Sequence, residues 1–216
     1  MAGDESPDRR YASRGGIKLA AALERFSIDP AGWRCVDLGC STGGFTDCLL
    51  QAGAQHVWSV DTAYGQLAWE LRQDPQVTVL ERSNALHVEP PAEAARMCRL
   101  ATIDLGWTPQ LKSIAAALNW LQDGGFILTL VKPHYESKQH RLDDAHALSV
   151  VQTTLAEVIN DSKLGPVLHL RDVMESPIRG AKGGNPEWIA WFEVACQLGP
   201  GAAGSASSKQ APGSVG

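Results

Sequence analysis

Two apolar runs in the chain end on charged side chains. LATIDLGW carries Asp104, and FILTLVKPHYE carries Lys132 followed by Pro133, whose ring removes the backbone donor and stops a strand. A lysine in that position is not ordinary surface decoration. Brought together, a lysine and a carboxylate can orient and deprotonate a weak nucleophile, or simply satisfy one another as an ion pair. A third cluster is VDLGCSTGGFTDCLL, in which Gly39, Ser41, Thr42, Gly43 and Gly44 crowd directly behind an apolar run that closes at Leu38. Glycines there adopt dihedrals closed to other residues and let the backbone approach a bound molecule. The turn lacks the Lys and Ser or Thr that end a P-loop, and its glycines depart from the GxGxxG of dinucleotide sites. Asp37, just ahead of Gly39, would repel a pyrophosphate and suits a ligand with a cationic amino group. A sulfonium amino acid nucleoside fits that description better than a dinucleotide does.

The next apolar run ends in SVDTAYGQ, and Asp61 follows the first glycine by about the twenty residues at which doubly wound nucleotide folds place a ribose-binding acid. The alternative role for Asp61 is a helix cap. Asn84, in LERSNAL, suits either an adenine edge or a turn. Upstream, Arg9, Arg10, Arg14 and Lys18 have no acidic residue among them, and the Gly15–Gly16 pair precedes Lys18. This segment reads as part of a substrate or cofactor site, against the plain alternative of a solvated tail.

Positioning these groups requires strands whose ends share one edge. β-branched or apolar runs occur at 35–38, 57–60, 77–80, 100–103, 126–131, 167–170 and 188–196. Helical spacing recurs at 17–25, 45–51, 66–72, 111–121 and 143–161. Alternation of the two predicts an α/β fold, a doubly wound, mostly parallel seven-stranded sheet covered on both faces. The last two strands, joined by the turn-rich SPIRGAKGGNPE, are too close for a crossover helix and predict a terminal antiparallel hairpin. Parallel sheets bind ligands at the carboxyl ends of their strands, so Asp104 and Lys132 are expected to converge beside the glycine turn.

The 216 residues suffice for one substantial core. We expect a flexible 1–9, a folded unit over 10–198 and a disordered Gly/Ser/Ala-rich 199–216. The formal charge of −5 gives no global attraction to nucleic acid, so a polyanion has to be held by a local patch. No apolar run approaches the roughly 20 residues that cross a bilayer, and MAGDESPDRR is too acidic for a secretory signal, which predicts a cytoplasmic protein without stable membrane insertion. Five cysteines without a two-residue pair suggest neither zinc nor a disulfide framework. Cys35, Cys48 and Cys196 read as small buried hydrophobes.

Taken together, YASRGGIKL, DLGCSTGGFTDCLLQAGA, VDTAYGQLAWELR, ERSNA, IDLGW, LVKPHYE and SPIRGAKGGNPEW resemble the hemolysin-labelled TlyA group of RNA 2'-O-ribose methyltransferases, within the FtsJ-like (RrmJ) class. The resemblance runs from Tyr11 to Phe192. It implies an S-adenosylmethionine-dependent Rossmann-like fold, S-adenosylhomocysteine as product and RNA, ribosomal in this group, as partner. It also implies a catalytic tetrad that falls on Lys18, Asp104, Lys132 and Glu187. Lys132 becomes the candidate base for the 2'-hydroxyl, provided burial and the charge of Lys18 favour its neutral form against the opposing effect of Asp104. Glu187 would position Lys18 or the ribose. The group carries an S4-type RNA-binding domain ahead of the catalytic unit; with only about ten residues before YASRGG, we expect that domain to be absent or lost here and an accessory protein to supply RNA affinity. The chain also has DLGW and KPHYE where the group has DVSF and KPQFE, so Trp107 and Tyr135 are expected to alter how the target base is stacked or admitted. The competing readings are a methyltransferase for a small-molecule or protein acceptor, a non-catalytic RNA- or membrane-interaction protein, and a nicotinamide oxidoreductase, the last opposed by Asp37 and the missing GxGxxG.

Overall fold

The computed structural model describes residues 10–139, 141–180 and 184–196. The expected flexible N-terminus and the Gly/Ser/Ala-rich tail lie outside the described residues. Seven strands form one sheet: β1 (Arg34–Leu38), β2 (His56–Val60), β3 (Val77–Leu80), β4 (Cys98–Ile103), β5 (Leu121–Val131), β6 (Leu168–Glu175) and β7 (Trp188–Val194). Their spatial order is β3-β2-β1-β4-β5-β7-β6. The first five are parallel, and β7 inserts antiparallel between β5 and β6, which gives the terminal hairpin. The helices are α1 (Gly15–Arg25), α2 (Gly44–Gln51), α3 (Trp69–Gln73), α4 (Gln110–Ala117), α5 (Pro133–Glu136) and α6 (Asp144–Asn160).

Central strands bury both faces, so neighbouring residues on one strand serve opposite cores. Val36 and Leu38 join the layer that includes Ile114 of α4 and Val151, Leu155 and Val158 of α6. Cys35 joins the opposite layer with Leu19, Ala22 and Leu23 of α1 and Cys48 and Leu49 of α2. Between β1 and β4 the chain changes direction across the sheet. A topological switch of this kind opens a crevice at the carboxyl ends of the two strands.

Three boundaries differ from the sequence expectation. The helix expected to reach Leu121 ends at Ala117, because Leu121 is instead fully buried in a parallel pairing with Cys98, and a register irregularity then carries β5 forward to Phe126. β6 runs on to Glu175 with alternating burial, the pattern of an edge strand with one wet face. α3 starts at Trp69, since Leu67 packs with Cys40 and Leu71 in a small core of its own. Of the cysteines, Cys35 and Cys48 are buried free thiols as expected, whereas Cys196 is exposed.

Candidate active site

The turn after β1 is shaped by what surrounds it. Gly39 has φ +93°, and a Cβ there would stand 2.5 Å from the Asp104 carbonyl oxygen, so only glycine lets the β1 and β4 ends draw together. The Asp104 amide closes the junction by donating to the Leu38 carbonyl at 3.0 Å. Gly43, with φ +100°, precedes α2, and a Cβ there would meet the Leu71 side chain at 2.3 Å. The glycines therefore serve protein packing as much as ligand approach. A cleft of about 330 Å³ opens above the turn, lined by Gly39, Cys40, Ser41, Gly44 and Phe45 together with Ser13, Arg14, Gly15, Lys18, Asp104, Ile178 and Arg179. Thr42 and Gly43 belong to the turn but do not line this cleft.

Asp37 departs from its expected place as partner of a ligand amine. Its carboxylate is fully buried beneath the turn, where Thr46 Oγ1 donates to one oxygen at 2.8 Å and Thr102 Oγ1 to the other at 3.0 Å. Ser59 Oγ extends the network to Thr46 at 2.8 Å. Burial, helped by the charge of Asp104, pushes the Asp37 carboxyl up to about 7, against the pull of the two hydroxyls. The residue supports the turn from below instead of lining the cleft. The physical reason is the β-period: Asp37 faces the same layer as Cys35, into which α2 brings Thr46.

Asp61 sits at the end of β2, half-buried, accepting from the Ser41 amide and the Ala63 amide, each at 2.8 Å. It ties the second strand end to the glycine turn and presents a carboxylate one strand away from the cleft. Asn84 is exposed, and its side-chain oxygen accepts from the Leu86 amide at 2.9 Å, the turn-forming alternative of the two weighed for it.

The other side of the crevice collects the charged residues. Lys18 lies on the buried face of α1, whose entry depends on Gly16: a Cβ there would fall 2.3 Å from the Tyr11 ring. From that position Lys18 Nζ donates to Glu187 Oε2 at 2.5 Å, with side chains only 10% and 5% exposed. Lys132 Nζ lies 2.5 Å from Asp104 Oδ1. The two pairs are close enough for the charge of Glu187 to act on Lys132. All four predicted residues thus meet at one sheet edge, from α1, β4, β5 and the loop entering β7. Burial works to lower the Lys132 pKa, but the Asp104 charge and hydrogen bond, with Glu187, raise it on balance. In the free protein Lys132 is an ammonium, so the neutral form that the sequence reading required is not the resting one.

Beside the pairs, Trp107 and Tyr135 stack with centroids 4.3 Å apart. Trp107 is 67% exposed and holds φ +57°, an uncommon backbone state for a bulky residue. His134, between Lys132 and Tyr135, is buried with no partner at Nδ1, and burial together with the Lys132 charge lowers its pKa. Sequence reasoning missed Ser13, Cys40, Phe45 and Arg179 as cleft walls. For Arg179, the only signal was its place in the turn-rich stretch ahead of Glu187.

The profile of the family described as FtsJ-like methyltransferase matches residues 11–193. The chain belongs to that family. Among relatives of this FtsJ-like chain, the 16S/23S rRNA (cytidine-2'-O)-methyltransferase TlyA of Mycobacterium tuberculosis is 38% identical over 189 residues, spanning 87% of this chain and 70% of that protein. A solved structure of a protein described as a hemolysin, from Streptococcus thermophilus, superposes with a TM-score of 0.77 at 34% identity, covering 86% of this chain and 68% of that one. An S-adenosylmethionine dependent methyltransferase from Mesorhizobium loti shares the fold at 16% identity, with a TM-score of 0.58 over 80% of this chain and 96% of the other. The Rossmann-like sheet is therefore that of S-adenosylmethionine-binding methyltransferases. The residues present suit that cofactor: the cleft has the volume of a small-molecule site, the glycine turn with Gly39 and Gly44 borders it, and Asp61 stands at the next strand end.

Proposed function

We propose that this protein transfers a methyl group from S-adenosylmethionine to a ribose 2'-hydroxyl of ribosomal RNA in the cytoplasm, releasing S-adenosylhomocysteine. The observation that carries the reading is the meeting of two lysine–carboxylate pairs, Lys18–Glu187 and Lys132–Asp104, at the edge of the glycine-floored cleft. A 2'-hydroxyl is a poor nucleophile and must be held in line while its proton leaves. The similarity to TlyA adds the acceptor class.

The roles divide by geometry. Gly39, Cys40, Ser41 and Gly44 would hold the donor along the turn, and Asp61 would take the ribose hydroxyls of its nucleoside. When bound, the donor supplies an electrophilic methyl on a sulfonium, whose positive charge opposes that of Lys132 and favours its neutral form. Asp104 orients Lys132 toward the acceptor, and Lys132 Nζ, after giving up its own proton to solvent, receives the 2'-hydroxyl proton. Lys18, fixed by Glu187, stabilises the negative charge developing on the 2'-oxygen. Trp107 and Tyr135 offer a stacking face to the acceptor base. The membrane-active alternative has less support: among the described residues no helix is long and apolar enough to cross a membrane.

The reading is tested by incubating the protein with methyl-labelled S-adenosylmethionine and, in parallel, ribosomal RNA, ribosomal subunits, a protein extract and a small-molecule extract. Label in the RNA as 2'-O-methyl nucleosides is the expected result. Label confined to protein or small molecules would transfer the same site to another acceptor. Calorimetry should show S-adenosylhomocysteine binding that Asp61→Ala weakens without unfolding the sheet, and tight binding of NADH instead would remove the donor assignment.

A further inference from the structure

Two arginines at the outer rim of the cleft have no role in donor binding or in the proton transfer. Arg14 is the N-cap of α1, and Arg179 lies in the loop between β6 and β7; both line the same cleft as Lys18 and Asp104. They are joined directly, with Arg14 Nη2 donating to the Arg179 carbonyl at 3.3 Å. Among the described residues no carboxylate pairs with Arg14. Arg179 Nη2 donates to both oxygens of Asp144, at 3.0 and 3.1 Å, but those side chains are 50% and 70% exposed. An ion pair that open to water contributes little and exchanges readily for a better anion.

From this arrangement we propose that Arg14 and Arg179 form a clamp for one backbone phosphate of the acceptor RNA, the phosphate next to the ribose being methylated. The inference rests on the function proposed above. A ribose whose 2'-hydroxyl is held at Lys18 and Lys132 carries a phosphate on the neighbouring 3'-oxygen, so an anion arrives beside the hydroxyl whatever the base. Arg14 stands four residues before Lys18, which on a helix puts their Cβ atoms about 5–6 Å apart on one face. Guanidinium forks match phosphate oxygens in a way a lysine ammonium does not. The chain as a whole is acidic, at −5, so its field does not gather RNA and the grip has to be local. In the free protein Asp144 holds Arg179 in place of the phosphate.

The test measures binding of a fluorescent ribosomal RNA fragment by anisotropy across a salt series, together with KM and kcat for methyl transfer and calorimetric affinity for S-adenosylhomocysteine. Arg14→Gln/Arg179→Gln should weaken RNA binding about tenfold or more and reduce the log–log salt slope by about 1, the loss of one phosphate contact. KM for RNA should rise accordingly, while cofactor affinity stays unchanged. Arg14→Lys/Arg179→Lys should recover the salt slope but only part of the affinity, since charge returns without the fork. Asp144→Asn should tighten RNA binding by about two- to fivefold, the scale of an exposed ion pair. Unchanged RNA affinity and slope in the double glutamine variant, weaker binding in Asp144→Asn, or no binding of RNA by the native protein would each overturn the clamp. A parallel loss of cofactor affinity would also overturn it, by placing the guanidiniums on the donor's carboxylate. RNA binding that obeys these predictions, with the methyl going only to a non-RNA acceptor, would instead refute the proposed reaction and with it the clamp's place beside a methylated ribose, leaving only a phosphate grip.

Discussion

Asp37 and Asp104 end neighbouring strands of one sheet, yet their surroundings give them opposite characters. Asp37 is sealed under the glycine turn, satisfied by the hydroxyls of Thr46 and Thr102 and pushed up to about 7 by burial. Asp104 opens to the cleft with its side chain 26% exposed and holds a lysine. A carboxylate given neutral hydroxyl partners and no water shifts toward its neutral form and becomes a structural prop. One facing a cation at the rim acts on that partner instead, and the Asp104 charge and hydrogen bond raise the pKa of Lys132. The Lys18–Glu187 pair is a third case, nearly as buried as the prop but with a lysine in place of hydroxyl partners.

The sharpest way to break this contrast is at Lys132. Lys132→Ala should cut turnover by about two to four orders of magnitude, the scale of a positioned acid or base, with affinity for S-adenosylhomocysteine retained. Lys132→Arg should fail to restore activity, because a guanidinium does not give up its proton at neutral pH. Near-native turnover in either variant would reduce the lysine to a spacer.

For the buried pair, Glu187→Gln leaves the Lys18 ammonium without its counter-charge in a site almost closed to water. A loss of about 3–5 kcal/mol in unfolding free energy by denaturant titration is expected, largely recovered in Lys18→Met/Glu187→Gln. An equal or greater loss in the double variant would mean that the pair itself stabilises the fold.

At Asp37 the expected effect is a change in pH dependence. Its carboxyl is raised in the folded state above the unfolded value of 3.8, so the native protein holds a proton that the unfolded chain releases. The resulting contribution is fully present below about pH 4 and is lost as pH rises toward about 7. Asp37→Asn removes that dependence, so unfolding free energies should shift in the variant's favour between pH 4 and 7 and run parallel above. Parallel curves throughout would show that the carboxylate ionises freely where it lies.

The smallest effect belongs to the rim. Trp107→Ala should raise KM for RNA about tenfold, as for the loss of one base-stacking contact, and Trp107→Phe should keep most of the affinity.

Much of this organisation was legible in the sequence, because a charged residue closing an apolar run fixes both the strand and the edge to which it delivers its side chain. Asp104, Lys132 and Asp61 were placed on that basis. The tetrad partners Lys18 and Glu187 lie 169 positions apart and are joined only by the tertiary fold, so Lys18 showed only as part of a basic, glycine-paired segment and Glu187 only through resemblance to a family. Asp37 was misplaced for a related reason. Its hydroxyl partners come from α2 and β4, and no local pattern announces that they will converge on one carboxylate. The charge state of Lys132 depended on a contest between burial and a 2.5 Å ion pair, which spacing alone cannot decide. Arg179 was hidden in a loop whose only local signal was its turn residues.

The central claim is that the cluster of lysines and carboxylates directs the methyl to a ribose oxygen, and the most direct measurement is where the label survives alkali. Ribosomal RNA methylated by the protein with labelled S-adenosylmethionine is hydrolysed in base, which cleaves only next to a free 2'-hydroxyl. The account predicts label in alkali-stable dinucleotides with the native protein and none with Lys132→Ala. Label appearing in mononucleotides would mean that the methyl goes to a base, and would contradict the account.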